Sequence, residues 1–146
     1  MEPHLAGGVS VRYIESSALV AAGLEGDATA IQAIRGEGLR VVSALTLAET
    51  RRTFTVSMVR GRISQAQLRS RLAWLRRFEH FCEVVDVTSS VLERVGRRFL
   101  VEPVRSLDAI HLATVETIEA EPSLVVVVTR DHRVKENAIA MGYLVE

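Results

Sequence analysis

The chain has 146 residues, of which 48% are hydrophobic and 25% are charged, and its formal net charge is zero. These values are typical of a folded globular protein and exclude a disordered or collagen-like chain, while a zero net charge does not by itself indicate nucleic-acid binding. Cys82 is the only cysteine, which excludes an intramolecular disulfide and a cysteine-rich zinc site. The first residues carry no secretory pattern, and apolar runs such as Leu124–Val128 are too short to cross a bilayer, so we expect a cytoplasmic protein.

Strand and helix patterns alternate after a flexible leader at residues 1–8. The predicted strands are Val9–Ile14, Leu39–Val42, Cys82–Val87, Leu124–Thr129 and Tyr143–Val145. The first predicted helix has Ser16 or Ser17 as its N-cap, and the second covers Ala28–Arg35 after Asp27. The third covers Leu45–Arg60, the fourth begins at Ser64, and the fifth runs from Ser90 towards Phe99. The last two cover Ser106–Glu119 and Arg133–Met141. The pairs Ser64 with Gln67 and Ser90 with Glu93 both match the capping box.

The strand candidate Leu124–Thr129 carries an unbroken apolar run of mostly β-branched residues. Such a run indicates burial on both faces, as in the middle of a parallel sheet. The alternation of strands with helices predicts the same arrangement, with helices covering both faces. Residues 9–146 are therefore predicted to form one α/β domain.

Four acidic residues fall where a parallel sheet would place a functional site, at and beyond the carboxyl ends of its strands. These residues are Glu15, Glu49, Asp108 and Asp131. Each also has a simpler interpretation: Glu15 as a solvated turn acid, Glu49 as the partner of an arginine, Asp108 as a first-turn helix acid, and Asp131 as a helix cap. The functional interpretation depends on all four meeting at one edge of the sheet.

Carboxylates that converge without a lysine nearby repel one another, which raises their pKa values or requires a cation. Oxygen ligands alone favour Mg²⁺ or Mn²⁺ over zinc. Such ions activate water and stabilise the oxygens of a phosphoryl displacement, and arginines around the rim would hold a phosphate backbone. An acidic set of this kind therefore points to metal-dependent phosphodiester hydrolysis.

Several motifs resemble the PIN-domain family, and specifically the VapC-type toxins of toxin–antitoxin modules. The segment Ser106–Thr114 (SLDAIHLAT) is similar to the third acidic motif of that family, and Thr129-Arg130-Asp131 to the fourth. The pair Ala48-Glu49 resembles the second motif, and Ser16–Val20 matches the residues that follow the first acid. The resemblance extends from Tyr13 to Val145.

The resemblance implies a three-layer α/β/α sandwich around a mainly parallel sheet and metal-dependent endoribonuclease activity. It also implies homodimerisation and a cognate antitoxin that covers the site. By position, the catalytic acids would be Glu15, Glu49, Asp108 and Asp131. Among these, Glu15, Asp108 and Asp131 would bind Mg²⁺ or Mn²⁺.

One acidic position departs from the family pattern, because Glu15 stands where aspartate is usual. The added methylene shifts the carboxylate by roughly 1.5 Å, against Mg²⁺–oxygen distances of about 2.0–2.1 Å. A rotamer change would absorb this shift, so Glu15 stays a predicted ligand. Ser17 and Thr129 are secondary candidates that would orient a carboxylate through their hydroxyls; helix capping and strand-end solvation are the alternatives for these two residues.

The sequence leaves two other functions open. A non-catalytic PIN-like module that binds RNA or protein would explain the departure at Glu15. A small-molecule phosphohydrolase would fit the zero net charge, but the chain has no GxxxxGK[ST] phosphate loop. Arginines concentrated between Arg51 and Arg77 favour a polymeric substrate, or an acidic antitoxin segment. His111 is predicted to be a packed, hydrogen-bonded residue and His132 an exposed one.

Overall fold

A single five-stranded sheet organises the computed structural model, which describes residues 8–146. The strands are β1 (Val11–Ile14), β2 (Leu39–Ser43), β3 (Glu83–Val85), β4 (Val125–Val128) and β5 (Leu144–Val145). Their spatial order is β3-β2-β1-β4-β5, and all four neighbouring pairs are parallel. The predicted parallel sheet is confirmed.

Helices cover both faces of this sheet. They are α1 (Ser16–Gly23), α2 (Ala28–Arg35), α3 (Ala44–Val59), α4 (Gln65–His80), α5 (Ser89–Arg94), α6 (Ser106–Glu116) and α7 (His132–Ala140), and one 3-10 turn spans Pro122–Leu124. Helices α1 to α4 contribute to a core on one face, and α5 to α7 contribute to a second core on the other. The fold is therefore the predicted three-layer α/β/α sandwich.

The four valines of β4 contribute to both cores. Val126 and Val128 pack into the first core, whereas Val125 and Val127 pack into the second. All four are at most 8% exposed, and burial of each side chain contributes about 1.5–3 kcal/mol to stability. The unbroken valine run is therefore explained by burial of β4 on both faces, as predicted, because alternate residues of a strand face opposite layers.

The order in which the chain adds strands to the sheet reverses between β1 and β4, which are parallel neighbours. From β1 the chain moves outward to β2 and β3, and from β4 it moves the other way to β5. A crevice forms at such a switch point, outside the carboxyl ends of the strands. The backbone N–H of Glu15 donates to the carbonyl of Val128 at 3.0 Å, so the ends of β1 and β4 meet there.

Three predicted helix caps have different outcomes. Ser64 and Gln67 form the capping box of α4, as predicted. The prediction for α1 was wrong: its N-cap is Glu15, whose carboxylate reaches the N–H of Ser17. The prediction for α5 was also wrong, because the hydroxyl of Thr88 accepts from the N–H of Val91 and starts the helix earlier.

Two helices end before their predicted limits. Helix α5 stops at Arg94, whose guanidinium donates to the carbonyls of Arg97 and Arg98 and closes a turn instead of a further helical segment. Helix α6 stops at Glu116, where the Thr117 hydroxyl donates to the carbonyl of Thr114.

Most of the predicted leader, residues 1–7, lies outside the described residues. Over residues 8–146 no helix is long and apolar enough to span a membrane.

Candidate active site

A cleft of about 760 Å³ opens beside the carboxyl ends of β1 and β4. Glu15, Glu49, Asp108 and Asp131 all line it. They come from the end of β1, from α3, from the first turn of α6 and from the N-cap of α7, respectively. The fold thus brings to one cleft every acidic residue that the sequence selects.

The cleft carries an excess of negative charge. Among the described residues that line it, five are acidic, with Glu25 as the fifth, and two are arginines, Arg105 and Arg130. Arg130 is paired through its guanidinium with Asp27, the N-cap of α2. Backbone hydrogen bonding from Ala30 and the charge of Arg130 lower the pKa of Asp27, so this pair stays ionised at neutral pH.

Glu15 is the most constrained of the four acids. Its side chain is buried, at 4% exposure for the residue. Oε1 accepts from the hydroxyls of Ser17 and Thr129, both at 2.6 Å. Oε2 accepts from the Ser16 hydroxyl at 2.8 Å and from the Ser17 N–H at 2.7 Å. Since a carboxylate offers about four acceptor sites, Glu15 can bind a cation only by giving up one of these bonds.

The Ser17 and Thr129 hydroxyls connect Glu15 by hydrogen bonds to the loop after β4, which carries Asp131. The Ser17 hydroxyl accepts from the N–H of Arg130 at 2.7 Å, and the Thr129 hydroxyl accepts from the N–H of Asp131 at 3.0 Å. Each hydroxyl therefore donates to Glu15 and accepts from the loop after β4. Through these bonds Glu15 holds the backbone of Arg130 and Asp131 in place.

Asp108 and Asp131 share one arginine. Arg105 places Nε 3.1 Å from Oδ2 of Asp108 and Nη2 3.3 Å from Oδ2 of Asp131. The other oxygen of Asp131 caps α7 by accepting from the N–H groups of Arg133 and Val134. The hydrogen bond to Asp108 and the Asp108 charge raise the pKa of Arg105, so its guanidinium is permanently charged.

Glu49 is held by a different contact. Its Oε1 lies 2.7 Å from Nε2 of His111, and Nδ1 of that histidine lies 2.8 Å from the hydroxyl of Tyr13. His111 is 2% exposed and Tyr13 is fully buried. The prediction of a packed, hydrogen-bonded His111 is confirmed. His132, with 80% of its side chain exposed, is also as predicted and pairs with Glu136.

The donor set fits a hard divalent cation in its chemistry. No group of three or more acidic, histidine or cysteine residues that could hold a metal is already assembled within residues 8–146. Two carboxylates do, however, converge on one positive charge, since the guanidinium of Arg105 contacts both Asp108 and Asp131. A cation that replaced this guanidinium would meet oxygen ligands only, which suits Mg²⁺ or Mn²⁺.

Sequence reasoning missed Arg105, which lines the cleft, and Tyr13, which is buried and contacts His111. Arg105 had a local signal, because it stands three residues before Asp108 and thus on the same side of the helix start. The Tyr13 contact had none, since 98 residues separate it from His111.

Comparisons with known proteins show the family of the chain. The chain matches the PIN domain family over residues 12–140. It is 36% identical over 137 residues to Ribonuclease VapC35 from two strains of Mycobacterium tuberculosis, which covers 91% of this chain and 93% of each relative.

Solved structures share the fold at lower identity. One is Mycobacterium tuberculosis VapC20, a sarcin-ricin loop cleaving toxin, with a TM-score of 0.60, 19% identity, and coverage of 91% of this chain and 96% of that one. Another is PAE2754 from Pyrobaculum aerophilum, with a TM-score of 0.61, 18% identity, and coverage of 93% and 83%. VapBC2 from Rickettsia felis, solved with a promoter DNA fragment, gives a TM-score of 0.58, 13% identity, and coverage of 93% and 97%. With a family match that extends from β1 to the end of α7, the chain belongs to the PIN-domain family.

Proposed function

We propose that the protein is a metal-dependent endoribonuclease that hydrolyses RNA phosphodiester bonds in this cleft. The observation that carries the proposal is the convergence of Asp108 and Asp131 on a single positive charge, beside Glu15 and Glu49. The similarity to Ribonuclease VapC35 supports RNA as the substrate class.

Asp108 and Asp131 would hold the cation, and Glu15 would join them by exchanging one of its hydrogen bonds. A bound Mg²⁺ or Mn²⁺ supplies Lewis-acid stabilisation of the phosphoryl oxygens and lowers the pKa of a coordinated water. Glu49 keeps an oxygen, Oε2, that no group within residues 8–146 bonds. This oxygen would take a proton from the attacking water as the water oxygen bonds to phosphorus. The bond from phosphorus to the leaving oxygen then breaks, and the leaving oxygen takes a proton from solvent water.

Arg105 and Arg130 at the cleft would hold the RNA backbone. Arg105 has 65% of its side chain exposed and Arg130 has 40% exposed, so both can turn towards a phosphate. A guanidinium released from Asp108 and Asp131 by a cation would be free to make bidentate contacts with phosphate oxygens. Arg105 would thus pair with the two carboxylates in the cation-free cleft and with RNA phosphate when a cation is bound.

The proposal extends to the biological role of the protein as the toxin of a toxin–antitoxin pair in the cytoplasm. The name of the 36%-identical relative supports this role. An antitoxin that covers the acidic cleft and a homodimeric state remain predictions from the family resemblance.

The proposed activity is tested by incubating the purified protein with structured RNA in Mg²⁺ or Mn²⁺. Discrete cleavage products are expected. Because water and not the 2′-hydroxyl is the nucleophile, replacing the 2′-hydroxyl at the cleaved nucleotide with hydrogen should leave cleavage in place. RNA that stays intact under all cation conditions would contradict the proposal.

The non-catalytic alternative has one observation in its favour, the saturation of Glu15 by four protein hydrogen bonds. A module of this kind would bind RNA or a protein without cutting RNA. The same incubation separates the two functions, because the alternative predicts RNA that is retained in a complex but remains intact.

The Arg105→Ala variant is expected to bind Mn²⁺ about two- to tenfold more tightly than the wild type. The variant loses a positive charge from beside Asp108 and Asp131, and ion pairs of an exposed arginine have small effects, so the gain in affinity is modest. Titration with Mn²⁺, followed by the EPR signal of the free ion, measures this affinity. Arg52→Ala is the matched control, since Arg52 is exposed on α3 and does not line the cleft. Equal or weaker binding by Arg105→Ala would contradict the idea that Arg105 competes with the cation.

A further inference from the structure

A buried hydrogen-bonded chain links the second core to the wall of the cleft. It runs from the hydroxyl of Tyr13 to Nδ1 of His111 at 2.8 Å, and from Nε2 of His111 to Oε1 of Glu49 at 2.7 Å. Tyr13 and His111 are buried, whereas the Glu49 side chain is 24% exposed. His111 and Glu49 both line the cleft, but only the Glu49 side chain has an appreciable exposed area there.

The protons of this chain follow from the donors and acceptors available. The Tyr13 hydroxyl lies 2.8 Å from Nδ1 of His111 and can donate to that nitrogen. An ionised carboxylate only accepts, so Nε2 must carry the proton that it donates to Glu49. In its neutral form the ring is then the Nε2–H tautomer, whose Nδ1 accepts from the Tyr13 hydroxyl, so that both nitrogens are paired.

This arrangement fixes the carboxylate of Glu49 at one oxygen. Oε1 is engaged by His111, while Oε2 receives no hydrogen bond from any residue in the described range 8–146. Tyr13 and His111 also pack edge to face, with ring centroids 6.0 Å apart and an interplanar angle of 66°. The ring cannot swing away from Glu49 without disturbing this buried contact.

We propose that His111, backed by Tyr13, is a positioning residue that aims the free oxygen of Glu49 into the cleft. The inference rests on the proposed function, in which Glu49 Oε2 accepts the proton of the attacking water. His111 itself would touch neither RNA nor water, and would act through the orientation of Glu49. A histidine with a merely structural role would affect stability but not the rate of cleavage by the folded protein.

The kinetic test compares three variants at a temperature where circular dichroism finds each fully folded. His111→Leu removes the donor, and kcat for RNA cleavage should fall about 10- to 100-fold while KM stays within about twofold of the wild type. His111→Gln restores an N–H at the position of Nε2 and should recover much of the lost kcat. His80→Leu is the control, because His80 is exposed at the end of α4 and does not line the cleft.

The second measurement needs no RNA and separates failure of this inference from failure of the proposed function. Nitrogen-15 NMR of the His111 ring should find the Nε2–H tautomer in the wild type and a shift towards the other tautomer in Tyr13→Phe. An Nδ1–H ring in the wild type would overturn the inference, as would an unchanged kcat in His111→Leu. Equal losses of kcat in the Leu and Gln variants would also overturn it. A wild type that cuts no RNA would contradict the proposed function, and the NMR result would then decide the inference alone.

Discussion

Substitution Asp108→Asn is expected to lower the rate of RNA cleavage by on the order of 100-fold or more. Asparagine keeps the size of the side chain and a carbonyl oxygen for Arg105, but it removes the charge that attracts a divalent cation. A cation contributes several kcal/mol of transition-state stabilisation, and each 1.36 kcal/mol corresponds to a factor of ten in rate. Initial rates on a labelled structured RNA in Mg²⁺, normalised to folded protein, measure the effect.

The control for this prediction is Asp86→Asn. It makes the same chemical change at an exposed aspartate beyond β3, outside the cleft. Cleavage by this variant should match the wild type. If Asp108→Asn cut RNA as fast as Asp86→Asn, Asp108 would have no part in catalysis and the assignment of the cleft would be wrong.

Substitution Glu15→Gln is expected to reduce the free energy of unfolding by about 2–4 kcal/mol. One carboxylate oxygen becomes an NH₂ group, which cannot accept the two hydrogen bonds that each oxygen of Glu15 receives: two from hydroxyls at Oε1, or one from a hydroxyl and one from a backbone N–H at Oε2. Buried donors left without an acceptor cost about 1–3 kcal/mol each. Urea denaturation followed by circular dichroism provides the measurement.

The matched control is Glu119→Gln, at an exposed position beyond the end of α6, and it should change stability by less than about 0.5 kcal/mol. Glu15→Gln should also weaken cleavage, because Ser17 and Thr129 tie Glu15 to the backbone N–H groups of Arg130 and Asp131. A variant as stable as the wild type would contradict the view of Glu15 as the anchor of this loop.

The layers of the fold were predictable from the sequence because they depend on local patterns. The valine run of β4 indicated burial on both faces, and the pair Ser64 and Gln67 marked the start of α4. Thr88, the cap of α5, follows the same rules and stands two residues before the predicted one, but the cap of α1 does not follow them. Glutamate seldom caps a helix, yet Glu15 does so because Ser16, Ser17 and Thr129 gather around its carboxylate.

The candidate site was predictable in its membership but not in its contacts. Position after strands and a family resemblance selected Glu15, Glu49, Asp108 and Asp131, and all four line the cleft. Their chemical roles remain predictions. Contacts such as that of His111 with Glu49, 62 residues apart, arise only when three elements pack together, and no local pattern encodes them.

The central claim, that the acidic cleft cuts RNA with the help of a divalent cation, is tested most directly by removing and restoring the cation. Wild-type protein treated with EDTA and then dialysed should leave a labelled structured RNA intact. Adding Mg²⁺ or Mn²⁺ to the same sample should restore cleavage, and adding Ca²⁺ at equal ionic strength controls for screening of the RNA charge. The account predicts cleavage only after Mg²⁺ or Mn²⁺ is returned; an undiminished rate in EDTA would contradict it.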